Sequence, residues 1–244
     1  MEENRARFKN IAVQWSDAHR FSPAPRHRRR IILNILKKLD FHSCLDTGCA
    51  QPYLLEVLLK KGKLVFGCDI SDEVIRANKN TFPGVQFEEV DISKETYPFN
   101  KKFDLVISSE VLEHIEDWRS AIKNLIQMSR RYLLITVPTG KVHNMDRLVG
   151  HFRHYNYEVL RDEIEKNNFK VIFYKYWGIP FHIIYKYLIS FGSYEKAYQG
   201  FAAKKYGITQ KLISHFLYLL FYFNDIFHSG SQLFILGERM KVNE

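Results

Sequence analysis

The stretch CLDTGCAQPYLLEVLLKKGKLVFGCDIS, Cys44 to Ser71, decides the fold. A short apolar run ends in Asp46, and Gly48 follows two residues later. A helical pattern comes next, with Pro52 at its first turn and Gly62 past its end. A second apolar run then ends in Asp69. In open α/β sheets, ligands bind beyond the carboxyl ends of the strands. A glycine after the first strand lets backbone approach a ligand closely. A carboxylate ending the second strand can accept both hydroxyls of a ribose. A dinucleotide site would need Gly-x-Gly-x-x-Gly to seat a pyrophosphate on the helix N-terminus. Here only Gly48 is present, and Asp46 repels a pyrophosphate while attracting a cationic amino group. The stretch therefore suits a cofactor with adenosine at one end, an ammonium at the other and no phosphates.

Outward from this stretch, apolar runs alternate with helical patterns. PRHRRRIILNILKKL precedes it as an amphipathic helix. SDEVIRANKN follows as a helix capped by Ser71. VQFEEVDI reads as strand three, KFDLVISSE as strand four with DWRSAIKNLIQMS as its helix, and RYLLITVP as strand five. NYEVLRDEIEKNN is a helix capped by Asn156, with Asn168 suited to a left-handed end. FKVIFYKYW is strand six. Near-continuous apolar strands alternating with helices imply a parallel sheet covered on both faces. The last run, SQLFILGERM, is read as an edge strand beside strand six.

The 244 residues are 46% hydrophobic and 26% charged, which excludes a disordered chain and is long enough for a sizeable core. Cys44, Cys49 and Cys68 form neither a disulfide framework nor a zinc ligand pattern, and buried, reduced thiols of a cytosolic protein are the expectation. No signal peptide is read in the first residues, and no metal site anywhere. The net charge is +9, and residues 1–40 hold ten Lys/Arg against four Asp/Glu. RHRRR, Arg26 to Arg30, is the dense part. It reads either as a solvated helix face or as a surface for anionic lipid, phosphate or nucleic acid.

With these motifs in place, the chain resembles the class I S-adenosylmethionine-dependent methyltransferases of the small-molecule type, over roughly residues 40–175 and again at the last strand. Their first motif, Asp-x-Gly-x-Gly-x-Gly, stands here as Asp46-Thr47-Gly48-Cys49-Ala50-Gln51-Pro52, with Ala50 and Pro52 in place of two glycines. The resemblance implies a Rossmann-like, seven-stranded, mostly parallel sheet with helices on both faces and a helical, aromatic-rich insertion before the last strand. It implies S-adenosylmethionine as cofactor. Asp46, Gly48, Cys49 and Ala50 would form the first turn and Asp69 with Ile70 the ribose site. Asp91 with Ile92 would stand beside the adenine, and Ser109 with Glu110, in FDLVISSEVLEHIED, near the methionyl end. His114 lies at the mouth of the site as a candidate base. GHFRHYNYEVL resembles a Gly-His-x-Arg-x-Tyr stretch of such enzymes. Its alternating His151, Arg153 and Tyr155 are candidates for gripping an acceptor, or Arg153 pins the loop. His19, Arg20 or Arg26 would meet the methionyl carboxylate from an N-terminal cover. If Ala50 is right-handed, Ala50→Gly costs about 0.5–1 kcal/mol of chain entropy.

One domain is expected, with residues 1–40 a helical cover, 41–177 the cofactor core, 178–230 the insertion and 231–240 the last strand. Residues 173–227 hold 18 of the 36 aromatic residues. The apolar run Phe216 to Phe223 is far shorter than the roughly 20 residues that span a bilayer. The insertion is thus a lid or acceptor wall, a peripheral membrane contact at the inner surface, or a homodimer face. The leading function is methyl transfer to an oxygen or nitrogen of a small-molecule, lipid-linked or glycan acceptor in the cytoplasm. The alternatives are an RNA methyltransferase, disfavoured because no Pro-Pro-aromatic motif follows strand four, and an inactive cofactor-binding module.

Overall fold

The structure, a computed structural model, describes residues 16–94, 99–191 and 205–240. The first fifteen residues and most of the polar stretch SYEKAYQGFAAKKYG lie outside the described residues. Among the described residues two compact units are present: those within 41–175 with 233–240, and those within 16–40 with 176–232. The segments read as a separate N-terminal cover and insertion fall in the same unit.

The sheet has β1 (Ser43–Thr47), β2 (Leu64–Asp69), β3 (Gln86–Glu89), β4 (Phe103–Ser109), β5 (Ser129–Pro138), β6 (Phe169–Trp177) and β7 (Gln232–Arg239), in the order 3-2-1-4-5-7-6, with Tyr176, Trp177 and Gln232 at the strand ends falling in the second unit. β1 pairs in parallel with β2 and β4, and β4 with β5. The strand order reverses at β1 and β4, so their carboxyl ends flank the crevice where such sheets bind ligands. β1 is buried at every position, and Leu45, Leu105, Val106 and Ile107 have no exposed surface.

The last strand departs from the sequence reading. β7 lies between β5 and β6, so β6 is the edge. The Met240 N–H donates to the Asn168 carbonyl, placing the end of β7 beside the start of β6; the two run antiparallel. The burial agrees: β7 is fully buried from Gln232 to Gly237, whereas Ile172, Phe173 and Tyr174 of β6 are exposed. A run as apolar as LFIL belongs inside a sheet.

Local signals act as their chemistry requires. Ser71 Oγ accepts from the Val74 N–H at the start of the helix Asp72–Thr81. Asn156 does the same for Val159 ahead of Tyr157–Glu165. Asn168 takes a left-handed φ of 60° before β6.

The helical unit contains α1 (Ser16–Phe21), α2 (Pro23–Leu36), α8 (Phe181–Phe191) and α9 (Ile208–Leu220); α3 (Tyr53–Lys60), α4 (Asp72–Thr81), α5 (Trp118–Met128), α6 (Asn144–Leu148) and α7 (Tyr157–Glu165) belong to the sheet unit. RHRRR is not a solvated face. His27 is fully buried, its ring stacked 5.3 Å from Trp177. Arg30 donates to His27 Nδ1 at 2.9 Å and pairs with Asp225 at 2.6 Å. Nδ1 is thus the acceptor, and Nε2–H donates to the Tyr218 carbonyl at 2.7 Å. Burial accordingly drops the His27 pKa to about 4. Arg26 lies 3.6 Å from the Tyr218 ring centroid, and Arg28 donates to Gln232. The segment that supported a nucleic-acid surface is spent on this unit's own packing.

Candidate functional site

The turn after β1 is shaped by what its backbone must do. Gly48 has a φ of 62°, and a Cβ there would stand 2.5 Å from Val111 Cγ2. Ala50 also has a left-handed φ, 37°, so the right-handed premise for this residue does not hold. An alanine there is strained. Two contacts hold it: its N–H donates to Asp69 Oδ2 at 3.0 Å, and its carbonyl accepts from Asn78 Nδ2 at 2.9 Å. Cys49 is buried and also meets Asn78, through its sulfur at 3.7 Å. Burial raises the Cys44 and Cys49 thiols well above the usual range, leaving neither a ready nucleophile. Cys44, Cys49 and Cys68 are all buried.

Asp46 and Asp69 end adjacent strands, and both are buried. Burial, then the Asp69 charge, pushes the Asp46 carboxyl up to about 7. Asp69 is also raised by burial, with the Ser71, Ala50 and Ile70 N–H groups opposing the shift. Ser71 donates to its Oδ1 and Ala50 to its Oδ2, each at 3.0 Å. The carboxylate is therefore fixed in orientation. Ile70 follows, half-buried. Asp91 accepts from Ser93 Oγ at 2.6 Å and pairs with Lys94 at 3.6 Å. Ile92 is buried, its carbonyl taken by Asn124.

At the end of β4, Ser109 Oγ lies 2.9 Å from Thr136 Oγ1. Glu110 has a left-handed φ of 58°, with its N–H donating to the Thr136 carbonyl and its Oε1 accepting from Thr136 Oγ1. A glutamate held in this conformation is strain stored at the rim of the crevice.

His114, His151, Arg153 and Tyr155 converge, though not as four acceptor-facing groups. The three alternating side chains all meet the segment 112–116. The His151 and His114 rings are 4.7 Å apart, edge to face. Arg153 Nη1 donates to the Ile115 and Glu116 carbonyls at 3.0 and 2.7 Å, a contact that pins the loop. Tyr155 is buried, and its hydroxyl donates to the Leu112 carbonyl at 2.9 Å. This corrects its place among acceptor-gripping residues: burial raises the phenol well above its ordinary range and the proton is committed to a carbonyl. His114 Nδ1 lies 3.2 Å from the Gly150 carbonyl, which can only accept, so Nδ1 carries the proton. Its Nε2 holds the lone pair.

Sequence reasoning missed Asn78, Val111 and Thr136, which hold the turn and the β4 end. It also missed Asp146 and His154, which gather on His151. His154 stands in the quoted GHFRHY stretch, but strict alternation passed over it.

The family model described as a methyltransferase domain matches residues 14–173, about two thirds of the chain. The chain belongs to this methyltransferase family. It is an S-adenosylmethionine-dependent methyltransferase with the class I, Rossmann-like fold. Among curated relatives, the ubiquinone biosynthesis O-methyltransferase of Coxiella burnetii (strain RSA 493 / Nine Mile phase I) is 26% identical over 174 residues, covering 66% of this chain and 68% of that protein. The protein of the same name from Pelagibacter ubique is 28% identical over 152 residues, covering 54% and 62%. Among solved structures, magnesium protoporphyrin IX methyltransferase from Synechocystis PCC 6803 with bound SAH superposes with a TM-score of 0.56 at 18% identity, covering 70% of this chain and 90% of that one. The N-methyltransferase NodS of Bradyrhizobium japonicum WM9 with S-adenosyl-l-homocysteine gives 0.57 at 15% identity, covering 93% and 99%. These structural likenesses establish the fold.

Proposed function

We propose that this methyltransferase transfers the methyl group of S-adenosylmethionine to an oxygen, or alternatively a nitrogen, of a small acceptor carried on a lipid or other apolar tail. The carrying observation is the Asp46–Asp69 pair, two buried carboxylates on neighbouring strand ends, with Asp46 held near neutrality by burial and its neighbour. Among the described residues no hydrogen bond holds the Asp46 anion. An ammonium beside Asp46 and two hydroxyls on the Asp69 carboxylate would restore what burial took away. The residues present therefore fit the cofactor. Asp91, Ile92, Ser109 and Glu110 are assigned to its adenine and methionyl ends on the same footing as in the sequence.

The cofactor supplies an electrophilic methyl on a sulfonium, displaced in line by the acceptor atom. The chain's own work is to orient the acceptor, exclude water and take a proton where the acceptor carries one. His114 is assigned that proton, because its Nδ1–H is committed to Gly150 and Nε2 is the basic atom. Oxygen as the leading target draws support from the O-methyltransferase relatives.

A lipid-borne acceptor draws support from the helical unit. On α9, Ile208, Leu212 and Phe216 are 81%, 66% and 66% exposed, and Leu219, Phe223 and Ile226 continue the stripe at helical spacing. Ser214 is the residue this helix buries. Residues 16–40 and 176–232 carry twelve Lys/Arg against four Asp/Glu. An apolar stripe on a cationic unit suits peripheral contact with an anionic lipid surface. Among the described residues no helix is long and apolar enough to cross a membrane.

Radiolabelled methyl transfer tests the reading, run on hydroxylated aromatic acceptors with and without a prenyl or acyl tail, in detergent or liposomes. The expected result is turnover on tailed acceptors, lost in His114→Ala with cofactor affinity unchanged. Turnover confined to tailless or RNA acceptors would overturn it.

A further inference from the structure

The helix Asn144–Leu148 and the loop behind it bring three donor side chains together. His151 Nδ1 and His154 Nε2 are 3.0 Å apart. Asp146 Oδ1 lies 4.0 Å from His151 Nδ1, and Asp146 Oδ2 lies 3.6 Å from His154 Nε2. The side chains are almost out of solvent, at 8%, 13% and 1% exposure for Asp146, His151 and His154. The arrangement is held from outside: the His143 N–H donates to Asp146 Oδ2 at 2.9 Å, and the His151 N–H to the Asp146 carbonyl at 2.9 Å.

Two imidazole nitrogens and a carboxylate that converge in a buried place put electron pairs toward one point. A proton held between the rings or a metal cation at that point would satisfy them. The spacing suits the cation. For metal–nitrogen and metal–oxygen bonds of about 2.0–2.2 Å in a tetrahedral site, ligand atoms stand about 3.3–3.6 Å from one another. The ring nitrogens are 3.0 Å apart and stand 4.0 and 3.6 Å from the two oxygens of the one carboxylate, which brackets that value. Two imidazoles with one carboxylate favour zinc or a neighbouring first-row divalent ion over calcium or magnesium, which prefer all-oxygen sites.

We propose that Asp146, His151 and His154 bind one divalent transition-metal ion of the zinc class, with a fourth position left for water or an acceptor oxygen. The ion ties α6 to the loop that carries Arg153 and Tyr155. The site stands on its own donors and does not rest on the identity of the acceptor.

The experiment uses the untagged full chain, stripped with a chelator and desalted, then titrated with Zn²⁺ and with Co²⁺. One ion per chain is expected by elemental analysis, with Co²⁺ giving the intense visible bands of a four-coordinate site. Asp146→Asn and His154→Asn are expected to weaken binding at least tenfold. His143→Asn, a change of an exposed histidine in the same loop, is expected to leave it intact. A wild-type chain that retains no ion, or variants that bind like wild type, would overturn the proposal. Should the variants fail to fold, ring-nitrogen NMR of the wild-type chain decides: Zn²⁺ must shift the His151 and His154 ring nitrogens. Rings that keep a shared proton at saturating Zn²⁺ make the cluster a proton relay, and the proposal fails.

Discussion

In the sheet unit, Leu45, Leu105 and Ile107 have no exposed surface; in the helical unit, Leu212 and Phe216 each expose 66% while His27 and Asn224 expose none. The central strands of the first unit turn their apolar side chains inward. The second encloses an aromatic and polar centre built on His27, Trp177 and Phe221, and turns a row of aliphatic and aromatic side chains to the outside. Both arise from equally apolar stretches of sequence. Apolar residues of the central strands are explained by what they bury within the chain, and those on α9 need a surface that the described residues do not supply.

That contrast can be broken by substituting the same kind of residue in both units. Leu45→Ala removes a fully buried side chain and should lower unfolding stability by about 3 kcal/mol, read from urea denaturation. Leu212→Ser with Phe216→Ser should leave stability within about 0.5 kcal/mol, the smallest effect expected here. It should nevertheless reduce flotation with anionic liposomes at least tenfold, because each side chain loses about 1.5–3 kcal/mol of burial in lipid. If the double substitution unfolds the protein instead, the stripe is an internal surface and the contrast disappears.

Between those extremes lie the cofactor predictions. Asp69→Ala should weaken S-adenosylhomocysteine binding by at least about 1.5 kcal/mol in calorimetry, since it removes a charged acceptor. Cofactor affinity should also depend on pH through Asp46. Its carboxyl, raised to about 7, is protonated below that pH and cannot pair an ammonium. Affinity should therefore rise with pH up to about neutrality and then level, and Asp46→Asn should be weak and flat. The unliganded protein should behave oppositely. The folded carboxyl holds its proton more tightly than the unfolded chain's, at about 4, so this group's contribution to stability is full below that value and is lost as pH rises through about 7. Ala50→Gly should raise stability by about 1 kcal/mol, since glycine takes a φ of 37° without strain. A melting temperature lowered by that change would mean the alanine methyl packs usefully.

What could be read from the sequence was local or periodic. The caps at Ser71 and Asn156, the left-handed Asn168 and the order of strands one to six all rest on signals within a few residues. The Asp46 and Asp69 strand ends rest on the same kind of signal. What escaped was long-range. No local feature of QLFILGER says which two strands it enters between. RHRRR looks like an open basic surface because its partners, Tyr218, Asp225 and Gln232, lie about 190 residues or more further on. The hand of Ala50 is imposed by Asp69 and Asn78, and alanine itself argues against it. Asp146 and His154 come together through a turn around Gly150, which residue alternation cannot represent.

The position of β7 has a bearing on how the protein is made. Strands β5 and β6 are synthesised before β7, and the lane between them stays vacant until Gln232–Arg239 emerges from the ribosome. Between the emergence of β6 and that of β7 the nascent chain carries two unsatisfied strand edges facing each other, an invitation to wrong pairing. Loss of Gln232–Arg239 would therefore do more than shorten an edge: it would leave the sheet unzipped through its interior.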